Sequence, residues 1–172
     1  MSQNSNNLWA PWRIPYIQNL KEPSGCFLCH DRDNPDDDDE NLVLWRTPLS
    51  MVVLNRFPYN NGHLLIAPKR HIADIDDATD DEMLEIMKLV RETKRALAAA
   101  VNPHGFNVGI NFGREAGAGL PEHWHVHVVP RWDGDTNFMS VCAKTKVISQ
   151  SLDDLLIALR KVTKEMLLPS LK

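Results

Sequence analysis

No stretch of the 172 residues is apolar for the roughly 20 positions that a membrane-spanning helix needs. The opening MSQNSNNLWAPWR lacks both the basic start and the apolar core of a secretory signal, so a cytoplasmic protein is expected. Positive charge is not in excess either: 19 Lys and Arg stand against 23 Asp and Glu, a net charge of −4. That balance argues against a uniformly basic nucleic-acid binder and leaves room only for a local basic pocket. Cysteine is scarce, three in all, and two of them share one CxxC. An odd, low count excludes a disulfide scaffold and points to a reduced protein with a metal or redox pair. What is present is ordinary for a globular chain, 43% hydrophobic and 24% charged, with length enough for one domain and its core.

Residues 1–25 are polar and then rich in Trp and Pro (Trp9, Pro11, Trp12, Pro15), the composition of an ordered arm; residues 26–172 read as a single domain. The run DRDNPDDDDE from Asp31 to Glu40 reads as an exposed acidic loop. Strand-like runs follow at Leu42 to Arg46, Met51 to Asn55 and His63 to Pro68, with turns at Thr47-Pro48 and at PYNNG. Thr79 and Glu82 have capping-box spacing and open a helix over 79–100, with Met83, Leu84, Ile86, Met87, Val90 and Leu97 at helical intervals. Strands are expected near 105–112 and 124–130, and a last helix over 152–168 capped by Ser151. The pattern is α+β: an antiparallel sheet of about five strands flanked by two main helices, open to extension by dimerisation.

The most informative segment is GREAGAGLPEHWHVHVVPRW. His123, His125 and His127 alternate with Trp124, Val126 and Val128, which puts three imidazoles on one strand face about 7 Å apart and apolar side chains on the other. Three aligned histidines gain nothing structural; metal ligation, acid–base work and nucleophilic attack are the jobs they suit. Just upstream, the loop from Asn111 to Gly119 holds Gly113, Gly117 and Gly119, whose backbone can approach an anion closely. A nest of amides facing imidazoles suits a phosphoryl group better than a carbonyl. Trp132, just past the strand, could cover a base or ribose, or could pack against the C-terminal helix or a second copy. Lys69, Arg70, Arg114, Arg131, Lys144 and Lys146 could add positive potential for a polyphosphate.

HWHVHVV resembles the signature of the histidine-triad superfamily of nucleotidyl hydrolases and transferases, and residues 24–132 follow that family's order. WAPWR and VVPRWDGDTNF are similar to the branch containing bacterial diadenosine tetraphosphate phosphorylases. The resemblance implies a HIT-like fold and a nucleotidyl-histidine intermediate on His125. It implies phosphate contacts from His127, Asn111, Gly117 and Gly119, a supporting role for His63, and a ribose contact from Asn55. It further implies an adenine nucleotide substrate, no organic cofactor, and a homodimer or higher homo-oligomer. Inorganic phosphate as acceptor would give phosphorolysis to ADP and ATP. Water would give a hydrolase of dinucleoside polyphosphates or nucleoside phosphoramidates, and a nucleotide sensor without turnover is the non-enzymatic alternative. Where many relatives carry a hydroxyl or amide side chain, this loop has Ala118 and Gly119, so any proton for the leaving group must come from His127, a backbone amide or the substrate.

Cys26 and Cys29, followed by His30, fit a redox pair, half a zinc site or two small buried groups. The pair is expected to precede an acidic loop and not to open a helix, which weakens the redox reading. The resemblance implies a structural Zn²⁺ completed by His71 and His123. Cys142 has no partner in sequence and reads as a core thiol.

Overall fold

The computed structural model describes residues 25–136 and 147–171; the arm with Trp9 and Trp12, and the positions Cys142, Lys144 and Lys146, lie outside them. The strands are β1 (Val43–Arg46), β2 (Ser50–Leu54), β3 (Leu64–Pro68), β4 (Gly105–Ile110) and β5 (Val126–Arg131). They form one antiparallel sheet in the order β1-β2-β3-β5-β4. The helices are α1 (Phe27–Asp33), α2 (Asp80–Val101) and α3 (Leu152–Glu165). The expected α+β architecture is present, with one helix more than the sequence pattern announces.

Side-chain alternation gives the sheet two different faces. Val52, Leu54, Leu64, Ile66, Val126 and Val128 join a core of 18 buried residues that α2 and α3 cover through Ile86, Leu89, Leu97, Leu155 and Leu159. Met51, Val53, Leu65 and Ala67 point the other way, into a cluster of only six buried residues that includes Leu28 of α1. Apolar burial at about 1.5–3 kcal/mol per large side chain therefore secures the first face far more strongly than the second. His127 lies opposite Leu65 in the β3–β5 register and so shares the second, weakly buried face.

Polar staples compensate there. Arg46 on β1 donates to Asp38 and to the backbone carbonyls of Asp31 and Arg32, so it ties the last turn of α1 to the sheet. Arg160 on α3 donates to Asp39 and to the Val43 carbonyl. The acidic run is consequently not one exposed loop: Asp31 to Asp33 finish α1, Pro35–Asp37 is a 3-10 turn, and Asp31 is buried. Long-range arginines, invisible to local sequence reading, hold that segment folded.

The capping box of α2 forms as read, with the Glu82 amide donating to Thr79 Oγ1 and the Thr79 amide donating to Glu82 Oε2. Ser151 likewise caps α3 by accepting from the Asp154 amide. The buried stripe of α2 runs through Ile86, Leu89, Val90, Thr93, Ala96 and Leu97, whereas Leu84 and Met87 face outward. Strand β4 ends at Ile110, α3 ends at Glu165, and β5 starts only at Val126. Gly62, in the turn before β3, has φ +76, and a Cβ there would stand 2.7 Å from Pro130 Cγ. Only glycine allows β3 and the end of β5 to meet at that corner.

Candidate active site

The triad straddles the start of β5. His127 lies inside the ladder, while His123 and His125 precede it in extended chain, so the strand expected from 124 begins two residues later. Burial of Trp124 and Val126 in the main core turns all three histidines toward the second face. There they are almost completely enclosed: His123 is 1% exposed, His125 7% and His127 9%.

Each ring has a tautomer set by its neighbours. His125 Nδ1 is 2.9 Å from the His123 carbonyl, which can only accept; the proton therefore sits on Nδ1, and Nε2 carries a free lone pair. His123 Nε2 is 2.9 Å from the Pro68 carbonyl, so Nε2 donates and Nδ1 is the free base. His63 Nδ1 accepts from the Tyr59 amide at 3.0 Å, and Asn55 Nδ2 donates to it at 3.2 Å. His63 Nε2–H then donates to His127 Nδ1 at 2.9 Å, which leaves the His127 proton on Nε2. That Nε2 is 3.4 Å from Asn111 Nδ2, and a half-turn of the carboxamide sets its oxygen, the accepting atom, against the N–H. The result is one bare nitrogen, on His125, beside one N–H donor, on His127, with ring centroids 4.8 Å apart.

Electrostatics keep these rings neutral. Burial, followed by the neighbouring His127 and His125, pushes His63 down to about 3. Burial brings His127 and His123 down to about 4, and it lowers His125 as well, partly offset by the His123 carbonyl. A neutral imidazole with its lone pair free is what nucleophilic attack requires.

The other residues singled out in the sequence fall around this pair. Asn55 also accepts from the Phe57 amide, so its carboxamide braces the turn as well as His63. In the glycine loop, the Gly117 and Ala118 amides donate to the Arg114 and Gly113 carbonyls. Gly117 is left-handed at φ 90, which turns the chain toward Gly119; Gly119 has no atom within 4 Å of a Cβ position. Trp132 Nε1–H donates to the carbonyls of Val101 and Asn102, so the indole is fastened to the end of α2. Arg70 pairs with Glu82 and Arg131 with Asp135. Sequence reasoning does not single out Tyr59, whose ring stacks on His127 at 5.5 Å and leans on His63 at 4.5 Å. Its position in the PYNNG turn, four residues before His63, is the only signal of it in the sequence.

Beside the triad, Cys26, Cys29, His71 and His123 bring two sulfurs and two ring nitrogens within 4.8 Å of one another. Cys26 Sγ is 3.1 Å from His123 Nδ1, Cys29 Sγ is 3.2 Å from His71 Nδ1, and Cys29 Sγ is 3.6 Å from His123 Nδ1. Bonds of about 2.0–2.3 Å to a tetrahedral ion would separate such donors by about 3.3–3.8 Å, and the free base of His123 already points inward. This donor set can hold a metal ion. Cys26 is the cap residue of α1 and Cys29 lies in its first turn, so the CxxC does open a helix, contrary to the sequence reading. Burial raises the Cys26 thiol to about 11, so it stays protonated unless a metal displaces the proton.

Residues 37–134 match the HIT domain model. The AP-4-A phosphorylase of Mycobacterium tuberculosis is 41% identical over 157 residues, spanning 86% of this chain and 78% of that one. The asymmetrical bis(5'-nucleosyl)-tetraphosphatase of Schizosaccharomyces pombe is 33% identical over 93 residues, 54% of this chain and 50% of its own. Among solved structures, a zinc-bound histidine triad family protein from Mycobacterium smegmatis superposes with TM-score 0.68 at 22% identity, covering 83% of this chain and 95% of that one. A hypothetical histidine triad nucleotide-binding protein from Sulfolobus tokodaii gives TM-score 0.66 at 24% identity, covering 82% and 93%. By sequence, by fold and by the placement of His123, His125 and His127, the chain belongs to the HIT family.

Proposed function

We propose that this protein cleaves dinucleoside polyphosphates, diadenosine tetraphosphate above all, by transferring a nucleotidyl group first to His125 and then to inorganic phosphate. The observation that carries the reading is the bond from His125 Nδ1 to the His123 carbonyl, which leaves Nε2 bare in a site lined by neutral rings. The 41% identity to a protein named AP-4-A phosphorylase supports phosphate as the acceptor.

In the first step His125 Nε2 attacks the α-phosphorus, a P–N bond forms, and the bridging P–O bond breaks with its electrons leaving on ATP. The His123 carbonyl stabilises the charge that appears on the ring. His127 Nε2–H and the Gly119 amide donate to the phosphoryl oxygens. A polyphosphate is a weakly basic leaving group, so the missing hydroxyl at Ala118-Gly119 is tolerable. In the second step inorganic phosphate attacks the same phosphorus, the P–N bond breaks, its electrons return to Nε2, and ADP departs. Asn55 and Asn111 are assigned to the nucleoside and phosphate contacts, and Trp132, from the end of α2, to the rim beside them.

The relative named as a tetraphosphatase favours a second reading, in which water replaces phosphate as the acceptor. Incubation with diadenosine tetraphosphate, with and without inorganic phosphate, separates the two. ADP formed only with phosphate supports phosphorolysis; AMP formed under both conditions makes the protein a hydrolase; no cleavage at all removes the enzymatic reading.

The Cys26, Cys29, His71 and His123 set is assigned to a structural Zn²⁺, which would tie α1 and the chain after β3 to the start of the triad. A homodimer is assigned to β4, which among the described residues pairs only with β5 and exposes Asn107, Val108 and Gly109 along the sheet edge. No helix among the described residues is long and apolar enough to cross a membrane, which accords with a cytoplasmic enzyme.

A further inference from the structure

Of the basic residues that the sequence offers for a polyphosphate, Lys69, Arg70, Arg114 and Arg131 lie among the described residues. Arg70 is paired with Glu82 and Arg131 with Asp135, while Lys69 lines a hollow with Pro48, Leu49 and Thr79, outside the glycine loop. Arg114 stands in the loop itself and is exposed, and among the described residues its guanidinium has no hydrogen bond or ion pair. Its acidic neighbour does not take it: Glu115 bends back over Gly113, where its Oε2 would stand 3.4 Å from a Cβ. The turn that carries Arg114 is closed by the Gly117 amide on the Arg114 carbonyl at 2.9 Å and the Ala118 amide on the Gly113 carbonyl at 3.1 Å. Three residues of 3-10 rise set Arg114 about 6 Å from Gly117. A Cβ on Gly117 would stand 4.0 Å from the Asn111 carboxamide, which in turn lies against His127. Beside Gly119 the space is open, and among the described residues the Gly119 amide donates to no protein carbonyl.

We propose that Arg114 binds the phosphates of the departing nucleotide and then the incoming inorganic phosphate, and so decides that phosphate and not water resolves the intermediate. The proposal rests on the nucleotidyl-transfer reading and adds to it the group that holds the acceptor. Displacement at phosphorus runs in line, so the bond that breaks lies opposite the one that forms. When the P–N bond to His125 forms, ATP leaves from the far side of the phosphorus. When that P–N bond breaks, its electrons return to Nε2, and the new P–O bond must form from the same far side. One subsite therefore serves ATP on the way out and phosphate on the way in. Water is the competitor at every moment, and only a fixed positive charge favours a small anion over it. A guanidinium suits that task, since its fork of N–H groups meets two phosphate oxygens at once. Its charge also offsets the negative charge that grows on the leaving polyphosphate, where Ala118 and Gly119 offer no hydroxyl.

The test compares the full chain with Arg114→Gln and Arg114→Lys, each given diadenosine tetraphosphate over a graded series of inorganic phosphate, with ADP and AMP measured separately. In Arg114→Gln the phosphate concentration for half-maximal ADP formation is expected to rise at least about tenfold, the loss of one charge-assisted contact. AMP, the product of water attack, should then appear at phosphate concentrations where the wild type forms none. Arg114→Lys, which keeps the charge and loses the fork, should fall between the two. An unchanged phosphate requirement with an unchanged ratio of ADP to AMP overturns the proposal. So does a drop in total turnover at constant ratio, which is what a merely structural residue would give. If the wild type forms AMP with and without phosphate, the acceptor half of the proposal fails with the phosphorolysis reading. Equilibrium binding of ATP and of AMP then decides the remaining half: Arg114→Gln should weaken ATP and leave AMP unchanged, and equal effects on both count against Arg114. A wild type that binds neither nucleotide removes the nucleotide reading itself, an outcome distinct from an active enzyme indifferent to Arg114.

Discussion

His125 and His127 differ in one proton position, and that difference supports the separate roles proposed for them. His125 presents a lone pair because a carbonyl holds its other nitrogen, whereas His127 presents a proton because His63 donates to its other nitrogen. His125→Asn should retain nucleotide binding and lose turnover by several orders of magnitude, as removal of a nucleophile does. The check is trapping of radiolabel on the protein with an alkaline quench, since phosphohistidine is acid-labile. Label on the wild type and none on the variant is the expected outcome; a variant with near-normal turnover would falsify the assignment. At this scale the residue types were legible in the sequence, because period-two alternation marks a shared face. The tautomers were not, because they depend on the carbonyls of His123 and Pro68 and on the Tyr59 amide, partners with no side-chain signature.

Helix α1 shows how an element escapes sequence reading. Its segment contains an acidic run with a proline, the usual pattern of a solvated loop, yet it folds because Arg46 holds its last turn. The two thiols sit at its other end, so a metal bound there would hold the helix from the side opposite the arginine. Metal analysis should find about one zinc per chain. Cys26→Ser should lower zinc content and also the melting temperature, by about 2–4 °C for each kcal/mol lost in a chain of this size. Zinc-free protein of unchanged stability would reduce the cysteine pair to packing. The long helix α2 was easier to read, since Thr79 and Glu82 spell its start and cap it as expected. Thr79→Ala should cost about 1 kcal/mol in denaturant unfolding through loss of that cap. Its buried stripe was only half legible: Leu84 and Met87 have helical spacing but lie on the solvent side, a distinction that only the position of the sheet decides.

For the molecule as a whole, the buried neutral histidines set the acid limit of stability. His63 and His127 titrate near 3 and 4 in the folded protein, against about 6.5 for a free histidine. Between those values the unfolded chain takes up protons that the folded chain refuses. Stability is therefore fully present above about pH 6.5 and is lost as pH falls toward 4, by up to about 1.4 kcal/mol per pH unit for each such group. Melting temperatures measured from pH 7.5 down to 5 should decline steadily in the wild type and more gently in His63→Asn. Identical slopes for the two proteins would count against this origin. Assembly belongs to the same scale: if two copies meet along β4, Val108→Lys should convert a dimer into a monomer by sedimentation. A wild type that sediments as a monomer would place the contact elsewhere or remove it.

The sheet order has a consequence for the time course of folding. Strands β1, β2 and β3 follow one another closely in sequence and pair in that order, whereas β5 returns to β3 only after α2 and β4 have intervened. Closing that long loop is the slow kind of step, because its entropy must be lost before the contacts form. The two halves of the site lie on either side of it: Cys26, Cys29, His63 and His71 come from the early half, His123, His125 and His127 from the late half. A chain caught before closure has thiols without the His123 nitrogen, and a His63 with no His127 to orient. During refolding, any tight metal capture should therefore appear with the slowest phase and never ahead of it, so that a nascent chain would complete the Cys/His donor set and the histidine triad in the same event.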